Sequence, residues 1–282
     1  PKAGPVAAIE LDPMTAALLD ARFEVARGGA SFTLRGERER VEATRTLLGR
    51  ETPCVGRERE LSLLRMYFEE CLEEPVARAV VITGPAGFGK SRLRFETEKS
   101  IRARHPDAEI WTCRGDPIGA GSPFAMIAEL LRNTAGLRDG EPSEVRQGKL
   151  LARVQRSFAS DARGQGRALR VAQFLGEIVG ASFPDEHSLQ LRAARQDKML
   201  MSDQVQAAWE DFLDAETAQR PIVLVLEDLH WGDLPSVQLV DAALRTHRER
   251  PLLVLAFARP EVHELFPRLW AGRGSQELRI GE

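Results

Sequence analysis

The feature that most constrains the fold is an eight-residue segment that matches the pattern G-x-x-x-x-G-K-[ST] without a mismatch. The segment consists of Gly84, Pro85, Ala86, Gly87, Phe88, Gly89, Lys90 and Ser91. The β-branched run at 79–83 before it is typical of a buried strand, and residues 92–98 after it are compatible with a helix. A glycine-rich turn between a strand and a helix cradles phosphate, because backbone N–H groups and the helix N-terminus converge on phosphate oxygens.

The polar residues of this segment have predicted roles in binding a nucleoside triphosphate. Lys90 would reach the β and γ phosphates, and the Ser91 hydroxyl would complete the coordination shell of Mg²⁺. Arg92, which follows directly, is included among the predicted nucleotide-binding residues. A chance match to the pattern is expected in about one chain in a hundred of this length. The flanking strand and helix make chance a still weaker explanation, so the sequence predicts a nucleotide triphosphate site.

A second segment carries two adjacent carboxylates. Five consecutive aliphatic residues at 222–226 predict a central parallel strand, and Glu227 and Asp228 follow it. Ligands bind at the carboxyl ends of the strands in open α/β sheets. One carboxylate would hold Mg²⁺, directly or through water, and the other would orient or deprotonate the attacking water. Taken alone, the segment is equally consistent with a strand capped by acidic turn residues.

Composition is that of an ordinary globular protein. The 282 residues are 43% hydrophobic with a net charge of −3, and this lack of basic excess makes a nucleic-acid partner unlikely. No apolar run approaches the roughly 20 residues of a membrane helix. Cys54, Cys71 and Cys113 lack metal-ligand spacing, so we expect a reduced, cytoplasmic compartment and no membrane partner.

Hydrophobic periodicity predicts an α/β domain with five strands. The strands are expected at residues 79–83, 108–113, 222–226, 252–258 and 276–280. A helix is expected from about Arg57 to Glu74, and another starting at Ser122 and Pro123. Residues 144–219 are almost wholly helical in pattern, with breaks near 164–166 and 183–184. We therefore expect three or four helices inserted between the second and third strands.

The first residues predict a separate small α+β segment at 1–36. A strand at 7–11, a short helix begun by Asp12 and Pro13, and a hairpin pairing residues 23–25 with 31–34 are expected. With its Leu34-Arg35-Gly36 turn, this segment resembles the last portion of a class III nucleotidyl-cyclase homology domain. The catalytic parts of such a domain would lie before Pro1. The alternative is a generic N-terminal subdomain. Residues 37–53 are charge-dense and predict a linker or connecting helix, followed by a domain at 54–282.

Residues 55–61, V-G-R-E-R-E-L, stand about thirty residues before the phosphate loop. They resemble the opening of the signal-transduction ATPases with numerous domains, the STAND class, which are relatives of AAA+ and origin-recognition-type ATPases. In that class the Val-Gly-Arg turn lies beside the nucleotide base, which implies the same for Val55, Gly56 and Arg57. The resemblance covers about 230 residues. It implies a three-layer α/β/α phosphate-loop domain of the ASCE type, with ATP and Mg²⁺ as ligands.

Two further motifs belong to the resemblance. The segment L-E-D-L-H-W-x-D at 226–233 is similar to the STAND motif, but Glu227 stands where an aspartate is commoner. The resemblance therefore favours Glu227 and Asp228 as an acting pair without assigning their roles. Trp231 is interpreted as a packing residue, and His230 has no assigned role. The segment A-R-P-E resembles the STAND sensor arginine, so Arg259 is expected to read the γ-phosphate. The alternative for Arg259 is a buried salt bridge.

The resemblance implies an ATP-binding and ATP-hydrolysing regulatory switch of a larger bacterial signalling protein. Its partners would be ATP or ADP, a kinase or cyclase domain upstream, helical repeats downstream, and a second copy of the chain on activation. The chain opens at Pro1 without methionine, so we expect a fragment of a longer protein. With no lid domain and no identifiable arginine finger, its hydrolysis is expected to be slow. The alternatives are a nucleotide-binding scaffold without turnover, and a DNA-associated AAA+ ATPase.

Overall fold

The structure is a computed structural model that describes residues 9–18, 23–28, 31–37, 46–47, 50–51, 56–117, 122–159, 164–186 and 188–281. The chain divides into two compact units, Pro1–Val55 and Gly56–Glu282. No helix among the described residues is both long enough and apolar enough to cross a lipid bilayer.

The first unit contains the predicted helix and hairpin. Its elements are β1 (Ile9–Leu11), α1 (Pro13–Leu18), β2 (Phe23–Gly28) and β3 (Ser31–Glu37). Strand β3 lies between β1 and β2 and is antiparallel to both. Helix α1 begins after Asp12, whose Oδ1 accepts hydrogen bonds from the backbone N–H groups of Met14 at 2.9 Å and Thr15 at 3.0 Å. This is the capping that the sequence predicts.

The charge-dense segment after β3 contains a short antiparallel ladder. Strand β4 (Thr46–Leu47) pairs with β5 (Arg50–Glu51). These are the described residues of the segment that the sequence assigned to a linker or a connecting helix. The helix alternative is therefore wrong at these four positions.

The second unit alternates strands and helices around one sheet. Its elements are α2 (Glu58–Glu73), β6 (Ala77–Thr83), α3 (Lys90–Arg104), β7 (Glu109–Arg114), α4 (Ala125–Ala135), α5 (Ser143–Ser157), α6 (Gly164–Val179), α7 (Leu189–Gln196), α8 (Lys198–Thr217), β8 (Ile222–Glu227), a 3₁₀ turn (Leu229–Trp231), α9 (Leu234–Thr246), β9 (Leu252–Ala258), α10 (Val262–Leu265) and β10 (Gln276–Arg279).

The sheet is five-stranded and parallel, in the order β10-β6-β9-β8-β7. Alternate residues of the central strands enter two separate cores. Val223 and Val225 pack with Leu64 of α2 and Leu93 of α3 on one face. Leu224 of the same strand packs on the other face with residues of α4–α9. Burial of both strand faces explains the continuous aliphatic runs in the sequence. The three-layer α/β/α prediction is confirmed, and the structure adds that β9 lies between β6 and β8.

The helical insertion between β7 and β8 is also confirmed. Four helices, α5 to α8, occupy the stretch for which three or four were expected. The predicted breaks lie close to their expected positions, because α5 ends at Ser157 before α6 begins at Gly164, and α6 ends at Val179 before α7 begins at Leu189. A Cβ on Gly164 would lie 2.2 Å from the carbonyl oxygen of Phe158, so this glycine permits a close backbone approach. Helix α4 begins at Ala125 rather than at Ser122, since Phe124 adopts a left-handed φ of 63°.

Two of the three cysteines are buried. Cys71 lies in the core between α2 and the sheet, and Cys113 lies in β7. Burial raises the pKa of the Cys71 thiol to about 12. A thiol with so high a pKa stays protonated and unreactive at neutral pH. Cys54 lies outside the described residues.

Glu277 joins the edge strand β10 to the end of β6. Its carboxylate accepts a hydrogen bond from Thr83 Oγ1 at 2.9 Å, and it lies 3.1 Å from His263 Nε2 and 3.2 Å from Arg279 Nε. Burial opposes ionisation of the carboxyl group. The hydrogen bonds from Arg279, His263 and Thr83 outweigh it and lower the pKa of Glu277 to about 2.

We expect Glu277→Gln to destabilise the protein at neutral pH and to lose this effect in acid. A carboxyl group with a lowered pKa stabilises the fold above its unfolded pKa, near 4.5, and this contribution disappears as the pH falls towards 2. Urea denaturation of both proteins at about pH 6 and about pH 3 measures the difference. Glu264→Gln, at an exposed position of α10, is the matched control. A difference that does not change with pH would contradict the prediction.

Candidate functional site

The predicted phosphate loop joins β6 to α3 at the carboxyl edge of the sheet. Gly87 and Gly89 have φ angles of 87° and 85°, in the left-handed region that glycine adopts without strain. Gly84 meets a different requirement, because a Cβ there would lie 2.6 Å from the carbonyl oxygen of Ile280. The backbone conformation therefore requires these glycines, and access to phosphate requires them as well.

Lys90, the first residue of α3, folds back over the loop. Its Nζ donates hydrogen bonds to the carbonyl oxygens of Gly84 at 2.6 Å and Pro85 at 2.8 Å. Burial lowers the pKa of Lys90, and the negative charge of Asp228 partly opposes this, whereas the positive charge of Arg259 adds to it. Lys90 thus lies within electrostatic range of two other predicted site residues. The ammonium group is held by neutral carbonyls that a phosphate would outcompete.

The remaining loop residues offer a ligand mainly their backbone atoms. Pro85 and Ala86 are exposed, Phe88 is half-buried, and Ser91 exposes its side chain at the first turn of α3. Arg92 pairs with Glu96 at 2.5 Å. The guanidinium of Arg92 is therefore already engaged along its own helix, while the Ser91 hydroxyl lies where the sequence predicts a magnesium ligand.

The turn before α2 contacts the phosphate loop through Arg57. Its guanidinium donates to the carbonyl oxygens of Phe88 at 3.3 Å and Gly281 at 2.8 Å, and it pairs with Glu60 at 2.8 Å. Gly56 precedes it with a left-handed φ of 74°. Val55, the third residue predicted for this turn, lies outside the described residues. Arg57 therefore connects the loop to the segment that follows β10.

Glu227 ends β8 with its carboxylate directed at α3. It forms an ion pair with Arg94, whose guanidinium also binds Glu98 at 2.5 Å. The side chains of Arg94 and Glu98 are each only 5% exposed. Burial raises the pKa of Glu227, and the positive charge of Arg94 opposes the rise. The first carboxylate of the acidic pair is thus neutralised by a buried arginine of the helix that follows the phosphate loop.

Asp228 has a different environment. Its backbone is left-handed, with φ of 48°, and its carboxylate binds Arg114 at 2.7 Å. Gly115 permits this turn, since a Cβ there would lie 2.4 Å from the carbonyl oxygen of Asp228. Asp228 is among the charges that shift the pKa of Lys90, and Glu227 is not. Asp228 is therefore the member of the pair whose charge acts on the lysine.

Arg259 follows the last residue of β9, the strand between β6 and β8. Its backbone N–H donates to His230 Nδ1 at 3.3 Å. Its positive charge contributes to lowering the pKa of Lys90 and of His230. The guanidinium forms no ion pair with any residue that the structure describes, so the salt-bridge alternative does not hold for this part of the chain.

Asp233 is a structural residue of this edge that the sequence reasoning did not interpret. Its carboxylate accepts hydrogen bonds from the backbone N–H groups of Phe124 at 2.7 Å and Met126 at 3.2 Å. It also caps α9 by accepting from Ser236 N at 2.9 Å. An aspartate directly before a helix that carries a proline in its first turn is an N-cap signal that could have identified it. The packing role assigned to Trp231 is only partly correct, because its side chain is 39% exposed.

This strand order, with a lysine-bearing glycine loop after the first strand and carboxylates after the third, defines a phosphate-loop nucleotide-binding domain of the AAA+ kind. Residues 53–255 match the AAA ATPase domain family, and the chain belongs to that family. It is also similar to an uncharacterized protein of Rhizobium meliloti (strain 1021), with 24% identity over 208 residues. The match covers 74% of this chain and 19% of that protein, so the chain spans about a fifth of its relative's length.

Proposed function

We propose that this domain binds ATP with Mg²⁺ and hydrolyses it slowly, as a regulatory switch within a larger bacterial signalling protein. The observation that carries the proposal is that Lys90, Arg259 and Asp228 follow the carboxyl ends of three adjacent parallel strands, β6, β9 and β8. The three residues come from α3 and from the ends of β8 and β9. Two cations and one carboxylate beside a glycine-rich loop suit a triphosphate and the water that attacks it.

The residues present fit a magnesium–nucleotide complex. Ser91 offers an exposed hydroxyl at the start of α3, and the acidic pair lies at the end of β8. The described residues contain no group of three His, Cys, Asp or Glu side chains suited to a metal. Mg²⁺ does not need such a group, since it binds through one or two protein oxygens together with phosphates and water. The ion would neutralise charge that develops on the phosphates during transfer.

The environments of the two carboxylates favour a division of labour. The charge of Asp228 acts on Lys90 and its carboxylate is partly exposed, so we assign this residue to the attacking water as general base. Glu227, held by Arg94, supports the metal side of the site together with Ser91. Arg259, whose guanidinium is not committed to an ion pair among described residues, is assigned to the γ-phosphate.

The signalling part of the proposal rests on the resemblance to the STAND class. In that reading Gly56 and Arg57 lie beside the base, and the bond from Arg57 to the Gly281 carbonyl links the loop to the end of the described chain. A nucleotide that moves the loop would thereby move this segment. A switch must transmit its state through such a movement. Kinase or cyclase partners, and association of copies on activation, belong to this proposal.

One observation favours a second candidate, a scaffold that binds nucleotide without turning it over. The carboxylate of Glu227 is occupied by Arg94 in a buried ion pair. If that pair persists when nucleotide is bound, only one carboxylate of the two is available for catalysis. Measurement of multiple-turnover phosphate release separates the two candidates, because the scaffold would bind ATP and release no phosphate.

Replacing Lys90 with alanine tests the nucleotide site directly. We expect Lys90→Ala to weaken ATP affinity by about 10-fold to 100-fold, because a charge-assisted contact to phosphate contributes about 1.5–3 kcal/mol. Calorimetric titration with Mg²⁺ and ATP measures the affinity. Lys99→Ala, an exposed lysine on the same helix, is the matched control and should bind as the wild type does. Equal affinity of the wild type and Lys90→Ala would refute the proposed site.

A further inference from the structure

His230 occupies a buried position beside the proposed phosphate site, and the proposed function assigns it no role. It lies in the 3₁₀ turn after Asp228 and is 6% exposed. The charged groups that act on it are Asp228, Arg259, Glu261 and Lys90, which include the three residues that define the site. The imidazole therefore lies among the groups proposed to surround the terminal phosphate.

The hydrogen bonding of the ring determines where its proton resides. Nδ1 accepts a hydrogen bond from the backbone N–H of Arg259 at 3.3 Å, so Nδ1 is unprotonated and a neutral ring carries its proton on Nε2. Burial lowers the pKa of His230, which favours the neutral ring at neutral pH. Nε2 is fully buried and has no hydrogen-bond partner among the residues that the structure describes.

A buried donor without a partner is costly, and each such donor calls for an explanation. The ring of Trp231 lies 5.3 Å away between ring centroids, and an indole carries no acceptor that would satisfy the donor. The charges that act on the imidazole are two carboxylates, Asp228 and Glu261, and two cations, Arg259 and Lys90. A phosphate oxygen bound between these two cations would supply the acceptor that Nε2–H lacks.

We propose that His230 contacts the terminal phosphate of bound ATP through its Nε2–H, and that this contact lets the domain distinguish ATP from ADP. The inference rests on the proposed function of the same site. Nε2 is covered in the present structure, so the contact requires a local rearrangement of the turn when the triphosphate binds. Through Nδ1, the same ring fixes the backbone of Arg259, so one side chain would connect the phosphate to both β8 and β9.

Two substitutions test the roles of the two ring nitrogens of His230 separately. In His230→Asn, the side-chain oxygen can take the place of Nδ1 and accept from Arg259 N–H, while the Nε2 donor is lost. In His230→Gln, the side-chain nitrogen reaches the position of Nε2 and retains a donor there. Affinities of the 282-residue chain for Mg²⁺–ADP and for a slowly hydrolysed Mg²⁺–ATP analogue are measured by calorimetry for the wild type and both variants.

We expect His230→Asn to bind ADP within about twofold of the wild type and to lose about tenfold in affinity for the ATP analogue, the scale of a hydrogen bond to a charged group. His230→Gln should recover part of that loss. Equal losses for both nucleotides in His230→Asn, an unchanged preference for the ATP analogue, or a glutamine variant no better than the asparagine variant would each overturn the inference. A wild type that binds neither nucleotide would instead refute the proposed function.

Discussion

Replacing Asp228 with asparagine is expected to lower the rate of ATP hydrolysis by about 10²-fold to 10⁴-fold while leaving ATP binding largely intact. The rate falls because an amide cannot accept the proton of the attacking water. Binding persists because Lys90 and the loop backbone are untouched. Asparagine is also the appropriate replacement for the backbone, since Asp228 has a left-handed φ of 48° that asparagine tolerates well. Single-turnover phosphate release and calorimetric titration give the two quantities.

The prediction discriminates between the two roles that the sequence left open. If Asp228→Asn loses the magnesium dependence of binding, Asp228 is the metal ligand and Glu227 must take the catalytic role. Glu227→Gln is the partner measurement, and by our assignment it should weaken magnesium binding more than Asp228→Asn does. Asp203→Asn, an exposed aspartate on α8, controls for the loss of one negative charge. Hydrolysis at the wild-type rate in Asp228→Asn would refute its assignment as the base.

The architecture of the nucleotide-binding unit was predictable because its signals are local. Strands buried on both faces need unbroken aliphatic runs, and residues 222–226 and 252–258 supply them in consecutive sequence. The phosphate loop is likewise contiguous, so its glycines and Lys90 could be read together. The strand order is an observation of the structure and was not part of the prediction.

The charge environment of the site was not predictable, because it depends on residues distant in sequence. Nothing in the sequence distinguishes Arg94 from the other residues of its helix. Only the fold shows that it contacts Glu227, which is 133 positions away. The same holds for Arg114, which meets Asp228 only because β7 and β8 are neighbours in the sheet. These contacts, rather than the motif, distinguish the two carboxylates from each other.

The exact helix boundaries were not predictable for a related reason. The glycines near 164 indicated the break between α5 and α6, but only the fold shows that α6 begins at Gly164, whose backbone closely approaches Phe158. The start of α4 was set by Asp233, which binds the backbone N–H groups of Phe124 and Met126. In both cases a tertiary contact determines the boundary residue more strongly than local preference does.

Arg153 shows how the helical insertion is attached to the sheet. It projects from α5, is 7% exposed, and binds both carboxylate oxygens of Glu216 on α8 at 2.5 Å and 3.1 Å. It also binds Glu109 of β7 at 3.1 Å. Its guanidinium lies 5.6 Å from the ring centroid of Trp111 and 5.3 Å from that of Phe212. One buried cation thus joins two inserted helices to the strand at the sheet edge.

We expect Arg153→Met to destabilise the protein by about 3–5 kcal/mol, because Glu216, only 1% exposed, would be left as an uncompensated buried charge. Urea denaturation measures the free energy of unfolding. Arg250→Met is the matched control, since it removes an ion pair with Asp214 of α8 that is more than a third exposed on both sides, and it should cost under about 1 kcal/mol.

The double variant Arg153→Met/Glu216→Leu tests the reason for the loss as well as its size. Removing both charges leaves no unpaired buried ion, and well-packed apolar replacements of a buried pair are often close to neutral. The double variant should therefore be more stable than Arg153→Met alone, although it carries one more substitution. The contrary result is that the losses of stability in Arg153→Met and in Glu216→Leu, each measured alone, add up to the loss in the double variant. The penalty would then come from lost packing against Trp111 and Phe212 rather than from an unpaired carboxylate. That result would refute the electrostatic explanation of how the insertion is held.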